Sequence, residues 1–158
     1  MKVYTRFAIV VLGVATLFPP LSVNAASALS PSTIIAVTNQ SRKANNAGKL
    51  LEDAALDRAA QNKADDMATV GYFSHVAPSG KNSWDWFRSI GYYYLNAGEN
   101  LAMNFTSNAT LESAWMNSPT HRANIIKPVY TRTGVGIARG LYMGKPTTFV
   151  VQFFATPA

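Results

Sequence analysis

The sequence contains no cysteine, so none of its stability can come from disulfide bonds. The same absence excludes a cysteine nucleophile and zinc sites built from thiolates. A chain of 158 residues can bury enough apolar surface to fold without such links. We therefore expect one domain that is held together by its own hydrophobic core.

Concentrated positive charge is also missing. The formal net charge is +6, but the lysines and arginines are spread along the chain, and no tract of them resembles a nucleic-acid footprint. The composition therefore predicts a moderately basic, soluble surface with no nucleic-acid partner, and attraction to anionic cell envelopes is the less favoured alternative.

Long apolar runs are absent except at the N-terminus. Two basic residues precede Phe7–Phe18, an uncharged and mostly apolar run of 12 residues, and Val23-Asn24-Ala25 supplies the small residues that a signal peptidase needs. A spanning helix needs about 20 apolar residues, so this run is too short to span a membrane unless it is retained as an anchor. We predict a signal peptide over residues 1–25 and a domain over residues 26–158. The processed protein is expected to be a monomer without a stable transmembrane segment, secreted or held in the periplasm or cell envelope.

Caps and breakers predict helices first and a pair of strands last. Ser30-Pro31 and Ser118-Pro119 each place a serine cap before a proline at the first helical position. The predicted helices span residues 31–47, 53–70, 83–90 and 109–116, with a brief one containing 120–125, and the predicted strands span 133–139 and 147–155.

The second predicted strand is apolar on both faces. Phe149, Val151 and Phe153 would point to one side, and Val150 and Phe154 to the other. Such a strand is covered on both sides. We therefore predict an α+β fold, a three-layer α-β-α sandwich with a small antiparallel sheet.

Only two histidines are present, and each lies in polar, turn-rich sequence. His75 follows a helix end, His121 lies in the first turn of a short helix, and Glu99 and Glu112 are the only glutamates after residue 52. Histidines beside carboxylates suit divalent metal binding through neutral imidazoles, or proton transfer tuned by the carboxylates. The spacing alone favours surface or capping roles for both histidines.

Several strings resemble the signatures of the CAP superfamily, which comprises cysteine-rich secretory, antigen 5 and pathogenesis-related 1 proteins. They are Phe73-Ser74-His75, Ala97-Gly98-Glu99-Asn100-Leu101 and the string from Ala114 to Ile125, while residues 133–136 and 150–154 resemble the closing strands of the family. The resemblance covers about residues 32–155. The lack of cysteine is similar to the stand-alone bacterial branch, the SCP-like extracellular domain proteins.

The resemblance implies a central cleft in which His75, Glu99, Glu112 and His121 meet. It implies that the two histidines hold zinc or a similar divalent ion, and it makes the two glutamates the candidate catalytic residues. We predict an extracellular binding module, without turnover, for a divalent metal, a lipid, a peptide or an envelope component. The alternative is a metal-dependent hydrolase, a peptidase or esterase acting outside the cell or on the envelope, in which the metal activates water. Two protein ligands are fewer than the three that are typical of catalytic zinc.

Two further features favour structural roles. Trp84, Trp86, Phe87 and the run Tyr92-Tyr93-Tyr94 could stack on a ligand, but aromatic residues at this spacing are more typical of packing. Ser118 lies near His121 as a nucleophile would, but its place before a proline indicates a helix N-cap.

Overall fold

The computed structural model describes residues 28–158, so the predicted signal peptide lies outside the described residues. The helices of this region are α1 (Pro31–Ala44), α2 (Ala54–Val70), α3 (Ser83–Arg88), α4 (Asn108–Asn117) and α5 (Pro119–Ile125). Its strands are β1 (Leu51–Glu52), β2 (Tyr94–Met103), β3 (Arg132–Tyr142) and β4 (Lys145–Pro157). None of these helices is both long enough and apolar enough to cross a membrane.

The strands form one sheet in the order β1-β3-β4-β2. β4 runs antiparallel to both β3 and β2, as the predicted antiparallel sheet requires. β1 adds a two-residue parallel pair with β3. β1 and β2 were not predicted, and β2 lies at an edge of the sheet.

β4 separates two hydrophobic cores. Phe149, Val151 and Phe153 pack with residues of α2 and α3, whereas Val150 and Phe154 pack with residues of α1, α4 and α5. The predicted two-sided burial of this strand, and with it the three-layer α-β-α sandwich, is therefore confirmed.

Helix ends follow the local sequence closely. Ser30 caps α1 through a hydrogen bond from the Thr33 N–H, and α2 ends at Gly71, whose left-handed φ of 79° suits glycine. The cap of α3 is Asn82, which forms a reciprocal capping box with Asp85. Gly71 and Asn82 thereby set the two ends of the loop between α2 and α3, which carries His75.

α2 lies unusually close to β3. A Cβ atom built on Gly136 would approach the backbone of Ala60 and Gln61 to less than 3.0 Å. Side chains of α2 also bond the backbone of β3: the Val135 N–H donates to Asp57 (2.9 Å), and the Ile137 N–H donates to Gln61 (3.1 Å). α2 therefore covers the edge that β3 exposes beyond its short pair with β1.

Candidate functional site

The outer edge of β2 is capped by side chains. Three alternate carbonyls of this strand, at residues 97, 99 and 101, accept hydrogen bonds from Tyr130 Oη (2.8 Å), Asn124 Nδ2 (2.9 Å) and Trp115 Nε1 (3.1 Å), respectively. These bonds tie the edge strand to α4, α5 and the segment that follows them. They also cover carbonyls that another strand could pair with, and they fix the backbone on either side of Glu99.

Glu99 points from β2 toward α2 and is almost fully buried. Its Oε2 lies 2.5 Å from the Nζ of Lys63, and its Oε1 contacts the Nδ1 of His75. We call these three residues the Lys63–Glu99–His75 triad. It joins α2, the loop after α2 and β2.

Lys63 was not predicted as a site residue. It is fully buried, and its Nζ also donates to the His75 carbonyl (2.9 Å) and to Ser83 Oγ (3.3 Å). Burial lowers the pKa of Lys63, and the charge and hydrogen bond of Glu99 oppose this shift. One sequence feature could have revealed its role: Lys63 is a charged residue on the face of α2 that otherwise carries the apolar residues Leu56, Ala60 and Met67.

The two histidines each engage Nδ1 with a protein group. The His75 side chain is 62% exposed and bonds the buried Glu99 through Nδ1, so Nε2 is the ring nitrogen that Glu99 does not engage. His121 Nδ1 lies 2.8 Å from Ser118 Oγ. Burial lowers the pKa of His121, and the charge of His75 adds to this shift, so the two imidazoles interact electrostatically.

Ser118 differs from its predicted role. Its backbone occupies the N-cap position of α5, but its side chain makes no capping hydrogen bond. The hydroxyl contacts His121 instead. Ser118 therefore orients this histidine.

A cleft of about 440 Å³ opens beside β2. His75 and Glu99 line one part of it, and Trp84, Asn124, Lys127 and Tyr130 are among the residues that line the rest. His121 does not line this cavity but lies on α5, where its carbonyl accepts a hydrogen bond from Asn100 (3.2 Å). The structure thus brings His75 and Glu99 together, with His121 within electrostatic range.

Glu112 lies elsewhere. It is buried on the other side of the sheet, where α4 faces α1, and it accepts a hydrogen bond from the Thr38 hydroxyl (3.0 Å). It lines a separate groove of about 430 Å³ between these two helices. Within residues 28–158, no three His, Cys, Asp or Glu side chains are grouped so that they could hold a metal ion. A cluster of all four predicted residues is therefore not formed, while metal binding by His75 and His121 stays a prediction.

The environment of Glu112 gives a test by pH. Burial raises its pKa, and the hydrogen bond from Thr38 opposes the shift. An acid whose pKa is raised on folding costs native stability as the pH rises through that range. We expect Glu112→Gln, which can still accept from Thr38, to melt at a higher temperature than the parent protein at pH 8 and at the same temperature below about pH 4. Melting curves across this range check it, and an unchanged pH dependence would contradict it.

Most of the aromatic residues between positions 84 and 94 serve in packing, as predicted. Trp86 and Phe87 are buried, and the ring of Phe87 makes an edge contact with Phe153 at 4.7 Å between centroids. Tyr93 is the exception, with 80% of its surface exposed.

Comparison with known proteins finds similar bacterial proteins both by sequence and by structure. The chain is 36% identical over 103 residues to the uncharacterized protein YkwD of Bacillus subtilis, a match that covers 65% of this chain and 40% of YkwD. An extracellular protein with an SCP domain from Bacillus anthracis has a TM-score of 0.68 at 28% identity, covering 79% of this chain and 39% of that one. An outer surface protein of Borrelia burgdorferi has a TM-score of 0.69 at 19% identity, covering 80% of this chain and 92% of that one. The chain thus spans about two fifths of YkwD and of the anthracis protein.

The family comparison covers most of the described chain. The model of the CAP domain, the cysteine-rich secretory protein family, matches residues 35–154. This range contains the Lys63–Glu99–His75 triad, Glu112 and His121, as well as every strand of the sheet except the last three residues of β4. The chain therefore belongs to the cysteine-rich secretory protein family, as a bacterial SCP-like member.

Proposed function

We propose that this protein is an extracellular binding module that holds a ligand between His75, which lines the cleft beside β2, and His121 on α5, without turning it over. The groups proposed to bind are the imidazoles of His75 and His121, and the proposed ligand is a divalent cation such as zinc. The relatives described as extracellular and outer surface proteins support the location, together with the predicted signal peptide at residues 1–25.

The state of Glu99 carries the proposal. A general base needs a carboxylate that can reach a proton on water or substrate. Both oxygens of Glu99 are already engaged, one by Lys63 and one by His75, and the side chain is only 3% exposed. Because Lys63 compensates its charge, Glu99 is better suited to orienting His75 than to activating water.

The donor set fits a cation held by imidazoles. In metal proteins a ligating histidine usually gives its second ring nitrogen to a carboxylate or another polar group, which fixes the ring. His75 and His121 do this through Glu99 and Ser118, so Nε2 is the nitrogen left to bind on each. Two ligands leave open positions for water or a small ligand.

Zinc titration by calorimetry tests the proposal. Neutral imidazoles have an ordinary pKa of about 6.5, so protons compete with the metal and affinity should be much lower at pH 5.5 than at pH 7.5. His75→Ala and His121→Ala should each weaken binding by at least tenfold, and Glu99→Gln by about 10- to 100-fold. Equal affinity at both pH values, or binding that survives both histidine substitutions, would contradict the assignment.

The hydrolase alternative has its own test. Purified protein with added zinc is assayed on peptide, ester and cell-wall substrates, and we expect no turnover. A metal-dependent cleavage that Glu99→Gln abolishes while the melting curve shows an intact fold would overturn the proposal, because general-base contributions run to about 10²–10⁴-fold in rate.

A further inference from the structure

Charge is strongly segregated in this protein. The acidic residues between 52 and 66 lie at the start of α2 and along it: Glu52, Asp53, Asp57, Asp65 and Asp66. Beyond them, Asp85 pairs with Arg88, and Glu99 and Glu112 are buried. Residues 28–51 and 113–158 contain no acidic residue. The layer formed by α1, α4 and α5 therefore exposes cations without acidic neighbours of its own.

Arg42 organises these cations. It is fully buried, and its guanidinium donates to the carbonyls of Gly48 (2.5 Å), Ile125 (2.7 Å), Lys127 (3.0 Å) and Tyr130 (3.1 Å). No described carboxylate forms an ion pair with it. A buried cation without a counter-charge is costly, even when carbonyls satisfy its N–H groups.

Four more cations lie next to Arg42 in the chain, or on or beside groups that it or its helix bonds. Lys43 is its neighbour in α1, Lys49 follows the Gly48 carbonyl, and Lys127 carries another of the bonded carbonyls. Arg122 joins them through a 2.6 Å hydrogen bond to Asn45. We call Lys43, Lys49, Arg122 and Lys127 the basic end.

The basic end has the shape of a binding surface. Lys43 and Lys49 line one shallow cavity of about 580 Å³ with Gln40 and Asn46, whose amides can donate hydrogen bonds. Lys127 also lines the cleft beside β2, so the basic end is continuous with that cleft. Like charges that are held together repel, and a bound polyanion relieves this repulsion.

We propose that the basic end binds an anionic polymer rich in phosphate groups, and that it guides such a polymer to the mouth of the cleft. Charge complementarity identifies the ligand class. A membrane is a poorer fit, because α1, α4 and α5 contain none of the large exposed apolar side chains that could insert into lipid, and only Leu51 and Val129 lie within two residues of a basic-end cation in the described chain. Nucleic acid is also a poorer fit, because these helices present no exposed aromatic ring on which bases could stack.

The test uses linear inorganic polyphosphate as the probe and the purified full chain. We expect binding that weakens steeply with salt, because counterions are released when lysines neutralise phosphates. The triple variant Lys43→Gln/Lys49→Gln/Lys127→Gln should bind at least about tenfold more weakly, with the slope of log affinity against log salt reduced by about 3.

The matched control changes the same charge elsewhere. Arg58→Gln/Arg139→Gln/Lys145→Gln also removes three cations, all outside the basic end. Its affinity for polyphosphate should stay within about threefold of that of the parent protein, since salt screens the interaction of a bound ligand with charges outside its binding surface. If both triple variants bound polyphosphate equally weakly, net charge alone would explain the loss of affinity, and the proposal would be overturned. The absence of polyphosphate binding would overturn it too, as would tighter binding to phosphatidylglycerol vesicles or duplex DNA than to polyphosphate.

Discussion

Replacement of Lys63 by methionine is expected to destabilise the protein by about 3–5 kcal/mol, because it leaves the Glu99 carboxylate as an uncompensated buried charge. The two side chains are 0% and 3% exposed, so water cannot take over the role of the missing partner. The substitution also removes the hydrogen bonds from Lys63 to the His75 carbonyl and to Ser83. Urea denaturation at pH 7 measures the loss.

A double-mutant cycle separates the interaction energy of the Lys63–Glu99 pair from the cost of burying its two charges. Glu99→Leu leaves the Lys63 ammonium buried without its counter-charge and should also destabilise the fold. Lys63→Met combined with Glu99→Leu removes both charges and should recover much of the loss, because an apolar pair of similar volume often replaces a buried ion pair at little cost. The exposed pair Asp85–Arg88 is the control, and Arg88→Gln should change stability little. If Lys63→Met were as stable as the parent protein, the triad would not be a structural centre.

The same experiment bears on function, since His75 depends on the triad. The loop that carries His75 is held by Lys63 through its carbonyl and by Glu99 through its ring. If the proposed metal site is correct, the Lys63→Met/Glu99→Leu variant should fold and yet bind zinc more weakly. In that case the Lys63–Glu99 pair determines stability, while the contact of Glu99 with His75 determines zinc affinity.

The fold was predictable where local signals and burial agree. β4 was recognised because both of its faces are apolar, and α2 because its apolar face ends at a glycine. β2 was missed because its central residues, Gly98, Glu99 and Asn100, are polar or small, although they are buried in the sheet. Their polar groups are hydrogen-bonded to residues distant in sequence, such as Lys63 and Asn124. The sequence near β2 contains no pattern that predicts these contacts.

The site was predictable only in part for the same reason. The family resemblance assigned His75, Glu99, Glu112 and His121 to one cleft, and the structure brings Glu99 to His75 but not Glu112. In the structure α4 turns Glu112 toward Thr38 on α1, while Glu99 faces α2 across the sheet. Which face of a short helix meets which layer depends on tertiary packing. Arg42 makes a similar point, because it was counted among scattered surface cations and proves to be fully buried.

Gly136→Ala is expected to destabilise the protein by about 3 kcal/mol or more, because overpacking against rigid atoms costs typically 1–3 kcal/mol and more when nothing can yield. The added Cβ would lie closer than 3.0 Å to backbone atoms of Ala60 and Gln61 in α2, and the backbone of a helix cannot rotate away as a side chain can. To relieve the contact, α2 would have to move off β3. This movement would disturb the hydrogen bond between Gln61 and the Ile137 N–H and shift Lys63 relative to Glu99.

Gly48→Ala is the matched control, since a Cβ at Gly48 meets nothing within 4 Å. That variant should be neutral or slightly more stable, because alanine restricts the unfolded chain more than glycine does. Thermal and urea unfolding of both variants measure the difference, and a Gly136→Ala protein that unfolds like Gly48→Ala would show that α2 can move away from β3 at little cost.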